Sequence, residues 1–146
     1  MGKTEEEGLT RLVSNAEIAD RFAEMAALLE LTGTEAYKLR AYQRAAQSIA
    51  NHPEQLAGLW RRGGLREVRG IGESFALKVE QILKTGSCPL LDRLRQEVPP
   101  GVVGMMRVAG VGPKTAALAW RQLGVADVAE LELAARQGKL ATLKGL

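Results

Sequence analysis

The chain has 146 residues, of which 46% are hydrophobic and 25% charged, and its formal net charge is +3 at pH 7. This length allows one or two small hydrophobic cores and excludes a large catalytic domain. One cysteine excludes an internal disulfide and a cysteine-based zinc site. The sequence has no secretion leader and no apolar run long enough to cross a membrane, so we expect a cytoplasmic protein.

The charge is unevenly distributed along the chain. Residues 1 to 35 hold three basic and eight acidic side chains, which leaves 17 basic and 9 acidic in the remainder, a net charge of +8 there. A basic body behind an acidic N-terminal segment indicates a polyanionic partner.

Residue preferences favour helix throughout, because Ala, Leu, Glu, Arg and Gln dominate and only 4% of residues are aromatic. We therefore predict an all-α protein. Residues 1 to 13 lack periodicity and are expected to form a flexible tail. Asn15 can cap a first helix, which ends near Gly33 and buries a stripe of Ile18, Phe22, Met25 and Leu29.

The second predicted helix runs from Glu35 to about Asn51, with Thr34 as its cap. Lys38 lies one turn before Tyr42, while Arg40 and Arg44 share an outer face. A third helix follows from Pro53 to about Arg62, where Gly63 and Gly64 end it.

A two-glycine turn, Val68-Arg69-Gly70-Ile71-Gly72, stands directly before the next helical pattern, which runs to Thr85 with Gly86 as its C-cap. Such a turn at a helix N-terminus presents unpaired amides and the positive end of the helix dipole, which suit a phosphate. Lys78 lies at the edge of the apolar stripe of this helix, and Ser74 lies one turn earlier on the same side.

The same turn recurs 40 positions later as Val108-Ala109-Gly110-Val111-Gly112, again before a helix, which runs to Leu123. Pro99-Pro100-Gly101 between the two repeats predicts a boundary between a domain of residues 14–98 and a subdomain of residues 99–146. The chain ends in Leu143-Lys144-Gly145-Leu146, the start of another such turn, so we expect the second subdomain to be truncated.

Three motifs, in this order and spacing, resemble the N-terminal region of family X DNA polymerases, including bacterial members. They are Tyr37 to Ala46, the first hairpin with Lys78 and Thr85-Gly86, and Arg107 to Lys114. The resemblance implies a lyase-type helical domain and then a helix-hairpin-helix DNA-binding subdomain, in a polymerase that fills gaps during repair. It implies sequence-independent binding of gapped or nicked DNA by a monomer. The polymerase palm is not within these 146 residues.

The resemblance also implies roles for single residues. Lys78 falls on the Schiff-base lysine of a 5′-deoxyribose-phosphate lyase, Lys38 and Tyr42 on its 5′-phosphate pocket, and Tyr37 on a template contact. Backbone carbonyls would hold a monovalent cation, K⁺ or Na⁺, at each hairpin. The expected phosphate contacts are Arg66, Arg69, Gly70, Gly72, Ser74, Arg107, Gly110, Gly112 and Lys114, and the expected carbonyl ligands are those of Arg66, Val68, Ile71, Met106, Val108 and Val111.

Ser74 and Leu77 stand where vertebrate members have a phosphate-binding lysine and an acid. Without that acid, the proton removed during elimination would pass to water, a substrate phosphate or Glu80. Two alternatives therefore accompany the lyase hypothesis: a helix-hairpin-helix module that binds DNA without catalysis, and a helical protein-interaction domain.

Overall fold

The computed structural model describes residues 13–144, and the predicted tail lies outside them except for Val13, which is buried. Within this range the chain forms helices and no strands, which confirms the all-α prediction. The α-helices are α1 Asn15–Leu31, α2 Ala36–Ala50, α3 Leu56–Arg61, α4 Glu73–Thr85, α5 Pro89–Glu97, α6 Pro100–Met105, α7 Pro113–Leu123 and α8 Val128–Arg136. Two short 3₁₀ helices complete the described part, at Leu65–Glu67 and Lys139–Thr142.

Contacts divide the chain into two compact units. The described residues of the first unit are 13–26 and 40–92, and those of the second are 27–39 and 93–144. Residues 27–39 and 93–98, which the sequence analysis assigned to the first domain, thus lie in the second unit. The functional boundary at residue 98 stays a prediction.

Each unit has its own apolar core. The predicted stripe of α1 is buried, with Ile18, Phe22 and Met25 completely inaccessible to solvent. In the first unit these side chains share the interior with Ile49, Leu56, Val79, Ile82 and Leu83. In the second unit the buried side chains include Leu28, Leu31, Leu94, Val102, Met105 and Ala116. No helix among residues 13–144 is both long enough and apolar enough to span a membrane.

The predicted cap of α1 is wrong. Ser14 caps this helix, because its Oγ accepts a hydrogen bond from the Glu17 amide at 3.3 Å. Asn15 instead lies in the interior and joins α1 to the start of α3. Its Oδ1 accepts from the Leu56 amide at 2.8 Å, and its Nδ2 donates to the Glu54 carbonyl at 2.8 Å. Helix α3 consequently begins at Leu56, three residues after the predicted Pro53.

We predict that Asn15→Ala destabilises the protein by about 2 kcal/mol, since it leaves the buried Leu56 amide without its partner and removes one hydrogen bond to the Glu54 carbonyl. Urea unfolding followed by circular dichroism measures the loss. Asn51→Ala is the matched control, because Asn51 is exposed and the change should stay within about 0.5 kcal/mol. Equal unfolding midpoints for the two variants would contradict this role of Asn15.

Candidate nucleic-acid interface

The first glycine turn is a tight hairpin between the 3₁₀ helix Leu65–Glu67 and α4. The Ile71 amide donates to the Val68 carbonyl at 3.0 Å, and Gly70, the third residue of the turn, has φ +84°. This arrangement is a type II turn, which requires a left-handed conformation at its third residue and hence favours glycine there. Val68 and Ile71 are both buried, so the two sides of the turn are anchored in the core.

The second turn repeats this backbone geometry closely. The Val111 amide donates to the Val108 carbonyl at 2.9 Å, and Gly110 has φ +82°. The following helices also begin alike, since the Ala76 amide donates to the Gly72 carbonyl at 2.8 Å and the Ala116 amide to the Gly112 carbonyl at 3.0 Å. The repeat inferred from the sequence is therefore confirmed as two copies of one hairpin.

Both hairpins present the N-terminus of a helix to the outside. Neither Gly72 at α4 nor Gly112 at α7 provides a side-chain cap. A Cβ atom added at Gly70, Gly72, Gly110 or Gly112 would meet no heavy atom within 4 Å, so another molecule can approach the backbone closely. Uncapped amides and the helix dipole together make each hairpin suitable for an anionic group.

The two helix starts differ in charge. Helix α4 begins with Glu73, whose carboxylate repels an anion at this end of the helix. Helix α7 begins with Pro113 and the exposed Lys114, which attracts an anion but has one amide fewer, because proline carries no N–H. The second hairpin is therefore the electrostatically better anion site.

The basic side chains at the hairpins are exposed and form no ion pair with a carboxylate among residues 13–144; they are Arg66, Arg69, Arg107 and Lys114. Arg62 behaves differently, since it bonds to Glu67 at 3.0 Å and to Glu54 at 3.4 Å. The hydrogen bond that Arg62 donates to Glu67 is the main cause that raises the pKa of Arg62. Glu67 is thus occupied by Arg62, while the cations of the hairpins remain available for an external anion.

Lys78 is half-buried on α4, as its position at the edge of the stripe predicted. Its Nζ donates to Ser74 Oγ at 3.1 Å and lies 5.8 Å from the centroid of the Phe75 ring. Phe75 in turn packs on Tyr42, with ring centroids 4.6 Å apart. The structure therefore brings Lys78 together with Ser74 and places both next to an aromatic cluster that contains Tyr42.

Tyr37, Lys38 and Tyr42 all belong to α2. Tyr37 is 59% exposed, and Lys38 Nζ lies 6.0 Å from its ring centroid, while Tyr42 is half-buried. The phosphate pocket assigned to Lys38 and Tyr42 stays a prediction.

The surroundings of Lys78 offer few proton acceptors. Leu77 is 54% exposed, so the position that the resemblance associates with an acid faces solvent. The carboxylate of Glu80 bonds to Lys84 Nζ at 3.0 Å, and this hydrogen bond is the first cause that lowers the pKa of Glu80. A carboxylate with a lowered pKa is a weaker base, which disfavours Glu80 as the proton acceptor.

One polar cleft was missed by the sequence analysis. It lies between α2 and the first hairpin and is lined by Arg44, Gln47, Ser48, Asn51, Arg69 and Gly70. The signal in the sequence was the spacing of polar residues at 44, 47, 48 and 51, which places them on one face of a helix. Their partner from the hairpin is distant in sequence, so the spacing alone did not reveal a cleft.

Among residues 13–144 no group of three or more His, Cys, Asp or Glu side chains could hold a metal ion. A metal site at the hairpins would therefore depend on backbone carbonyls, as predicted for the monovalent cation.

The fold and the two hairpins define a helix-hairpin-helix protein. Residues 13–88 match the model of the helix-hairpin-helix domain family, and the chain belongs to that family. The chain is also 28% identical over 121 residues to the DNA polymerase/3′-5′ exonuclease PolX of Bacillus subtilis (strain 168). The match covers 83% of this chain and 21% of that protein, so the chain spans about a fifth of its relative. The resemblance to the N-terminal region of family X polymerases is thus confirmed.

We predict opposite effects on stability for two alanine substitutions in the first hairpin. Gly70→Ala should destabilise the protein by about 1 kcal/mol, because φ +84° is unfavourable for a residue with a Cβ atom. Gly72→Ala should leave stability unchanged or slightly raised, since φ −90° and ψ −167° suit alanine and the added methyl group meets open space. Urea unfolding of both variants tests the geometry. A larger loss for Gly72→Ala than for Gly70→Ala would contradict it.

Proposed function

We propose that this chain is the DNA-binding N-terminal part of a family X-type DNA polymerase that fills gaps in DNA repair. It binds gapped or nicked DNA through the phosphates of the DNA backbone. The observation that carries the proposal is the recurrence of one open hairpin before two helices, each with uncapped amides facing outward. The similarity to PolX and the basic body of the chain support it.

Binding of this kind does not depend on base sequence, because amides and exposed cations contact phosphates and not base edges. The unpaired cations Arg69, Arg107 and Lys114 add charge attraction to the amides around Gly70, Gly72, Gly110 and Gly112. We propose that the chain acts as a monomer in the cytoplasm.

The proposal includes a monovalent cation at each hairpin. Val68 and Val108 carbonyls each accept one hydrogen bond from the amide three residues later, and a carbonyl oxygen has a second lone pair for a ligand. The carbonyls of Arg66 and Ile71, and of Met106 and Val111, occupy equivalent places in the two turns. A cation there would reduce the repulsion between these oxygens and a DNA phosphate.

Lys114→Gln should weaken the binding of gapped DNA uniformly across sequences, and should lower the slope of log affinity against log salt by about one. Fluorescence anisotropy over a salt series measures both effects. Lys139→Gln is the matched control, because Lys139 is also exposed and lies outside the hairpins. Binding without a salt slope, or strong discrimination between sequences of equal structure, would overturn the proposed function.

We further propose that the first unit is a 5′-deoxyribose-phosphate lyase with Lys78 as its nucleophile. The neutral amine of Lys78 attacks C1′ of the open aldehyde of an abasic sugar, and loss of water leaves an iminium ion. Transfer of a C2′ proton to water or to a substrate phosphate then breaks the C3′–O bond and expels the phosphate of the downstream strand. Hydrolysis of the remaining Schiff base frees Lys78. Half-burial beside Phe75 and the bond to Ser74 hold the amine in one place, which favours the attack.

Borohydride should trap a covalent complex with abasic DNA, and Lys78→Ala should abolish the trapping. Lys84→Ala is the control on the same helix, because Lys84 is engaged by Glu80 and Trp60. Leu77→Glu should raise turnover more than trapping, since it places a base at an exposed position next to the nucleophile. Undiminished trapping in Lys78→Ala, with the adduct on Lys38 or Lys84, would show that another lysine reacts.

The second candidate function is a helix-hairpin-helix module without lyase activity. The exposed Leu77 and the pairing of Glu80 with Lys84 favour it, because neither provides a base near Lys78. Salt-dependent DNA binding without any trapped complex would identify this function.

A further inference from the structure

The cleft between α2 and the first hairpin, called here the Arg44 cleft, has the composition of an anion site. Its lining residues are Arg44, Gln47, Ser48, Asn51, Arg69 and Gly70, which include two arginines, three further side chains that can donate hydrogen bonds, and no carboxylate. Helix α2 contains three basic residues and no Asp or Glu along its whole length. The nearest acid before Arg69 in the chain is Glu67, and Arg62 occupies its carboxylate.

Neither arginine side chain of the cleft has a hydrogen-bond or ion-pair partner among the described residues. The side chains of Arg44 and Arg69 are exposed, and neither side chain forms a hydrogen bond or ion pair with another residue in the described range 13–144. Arginine presents a planar set of donors that matches a phosphate in two parallel hydrogen bonds. Two unpaired guanidinium groups that line one cleft are therefore suited to a phosphate.

The position of the cleft connects it to the hairpin. Gly70 lines the cleft, and Gly72 directly precedes the first amide of α4. The cleft and the amides at the start of α4 are therefore separated by two residues, at most about 7 Å of chain. The repelling carboxylate of Glu73 weakens the amide grip of this hairpin, as described above. A neighbouring basic cleft would offset that weakness on the same stretch of DNA backbone.

The cleft shares Arg69 and Gly70 with the first hairpin and adds α2 side chains that belong to none of the assigned sites. On α2, Arg44 lies about 160° and Ser48 about 120° around the helix axis from Tyr42, which packs inward on Phe75. We propose that the Arg44 cleft binds a backbone phosphate of the DNA strand held by the first hairpin. The inference rests on the proposed DNA binding and extends the contact surface from the hairpin to α2.

Two pairs of charge-matched variants test the inference. Arg44→Gln removes a cation from the cleft, and Arg40→Gln removes one from the preceding turn of α2, outside the cleft. Gln47→Glu places a negative charge in the cleft without a change of shape, and Gln43→Glu makes the same change outside it. All four side chains are exposed, so circular dichroism and thermal unfolding should show intact folds.

The measurement is the affinity of the 146-residue chain for duplex DNA with a one-nucleotide gap, by anisotropy over a salt series. Arg44→Gln should weaken binding about tenfold and lower the salt slope by about 0.9, the value for one lost phosphate contact. Gln47→Glu should weaken binding at least as much, whereas Arg40→Gln and Gln43→Glu should each change the affinity less than about twofold.

Each result separates the two proposals. If the unsubstituted chain binds with a steep salt slope but the members of each pair behave alike, the Arg44 cleft is not a phosphate site and the proposed function stands. If the unsubstituted chain shows no salt-dependent binding, both proposals fail.

Discussion

The left-handed backbone of Gly70 and of Gly110 is the constraint on which the proposed interface depends. A φ near +80° at the third residue closes each turn and directs the chain into a helix whose first amides face outward. A residue with a Cβ atom would resist that conformation, and a longer connection would leave the helix start less well positioned. The suitability of both hairpins for an anion follows from this geometry and needs no charged side chain.

Burial on both sides of the turn keeps the geometry fixed. Val68 and Ile71 are 1% and 4% exposed, so the residues that flank Gly70 are held by the core while the glycine itself faces solvent. Rigid anchors under an exposed loop reduce the entropy lost when a ligand binds. In the second hairpin Val108 and Val111 are only half-buried, although their turn has the same hydrogen bond. The first hairpin is thus more firmly anchored in the core, whereas the charge at the second hairpin attracts an anion more strongly.

The sequence predicted the local features well because glycine turns, apolar stripes and helix ends depend on neighbouring residues. The buried stripe of α1, the two glycine turns and the αL end of α4 at Gly86 all occur where they were predicted. Asn15 was assigned wrongly because its side chain bonds to residues 54 and 56, about 40 positions away, and such a partner leaves no local signal. The Arg44 cleft was missed for the same reason, since Arg69 and Gly70 come from another part of the chain.

The two helix starts balance stability and attraction for an anion in opposite ways. Glu73 stabilises α4 through the helix dipole, and it reduces the attraction of that end for a phosphate by the same field. Lys114 has the reverse balance, because a cation at a helix N-terminus costs stability while it attracts the ligand. If the Arg44 cleft supplies the attraction that Glu73 removes, the first unit retains both a stable helix and a phosphate contact. The two hairpins would then share one backbone geometry and reach anion binding through different side chains.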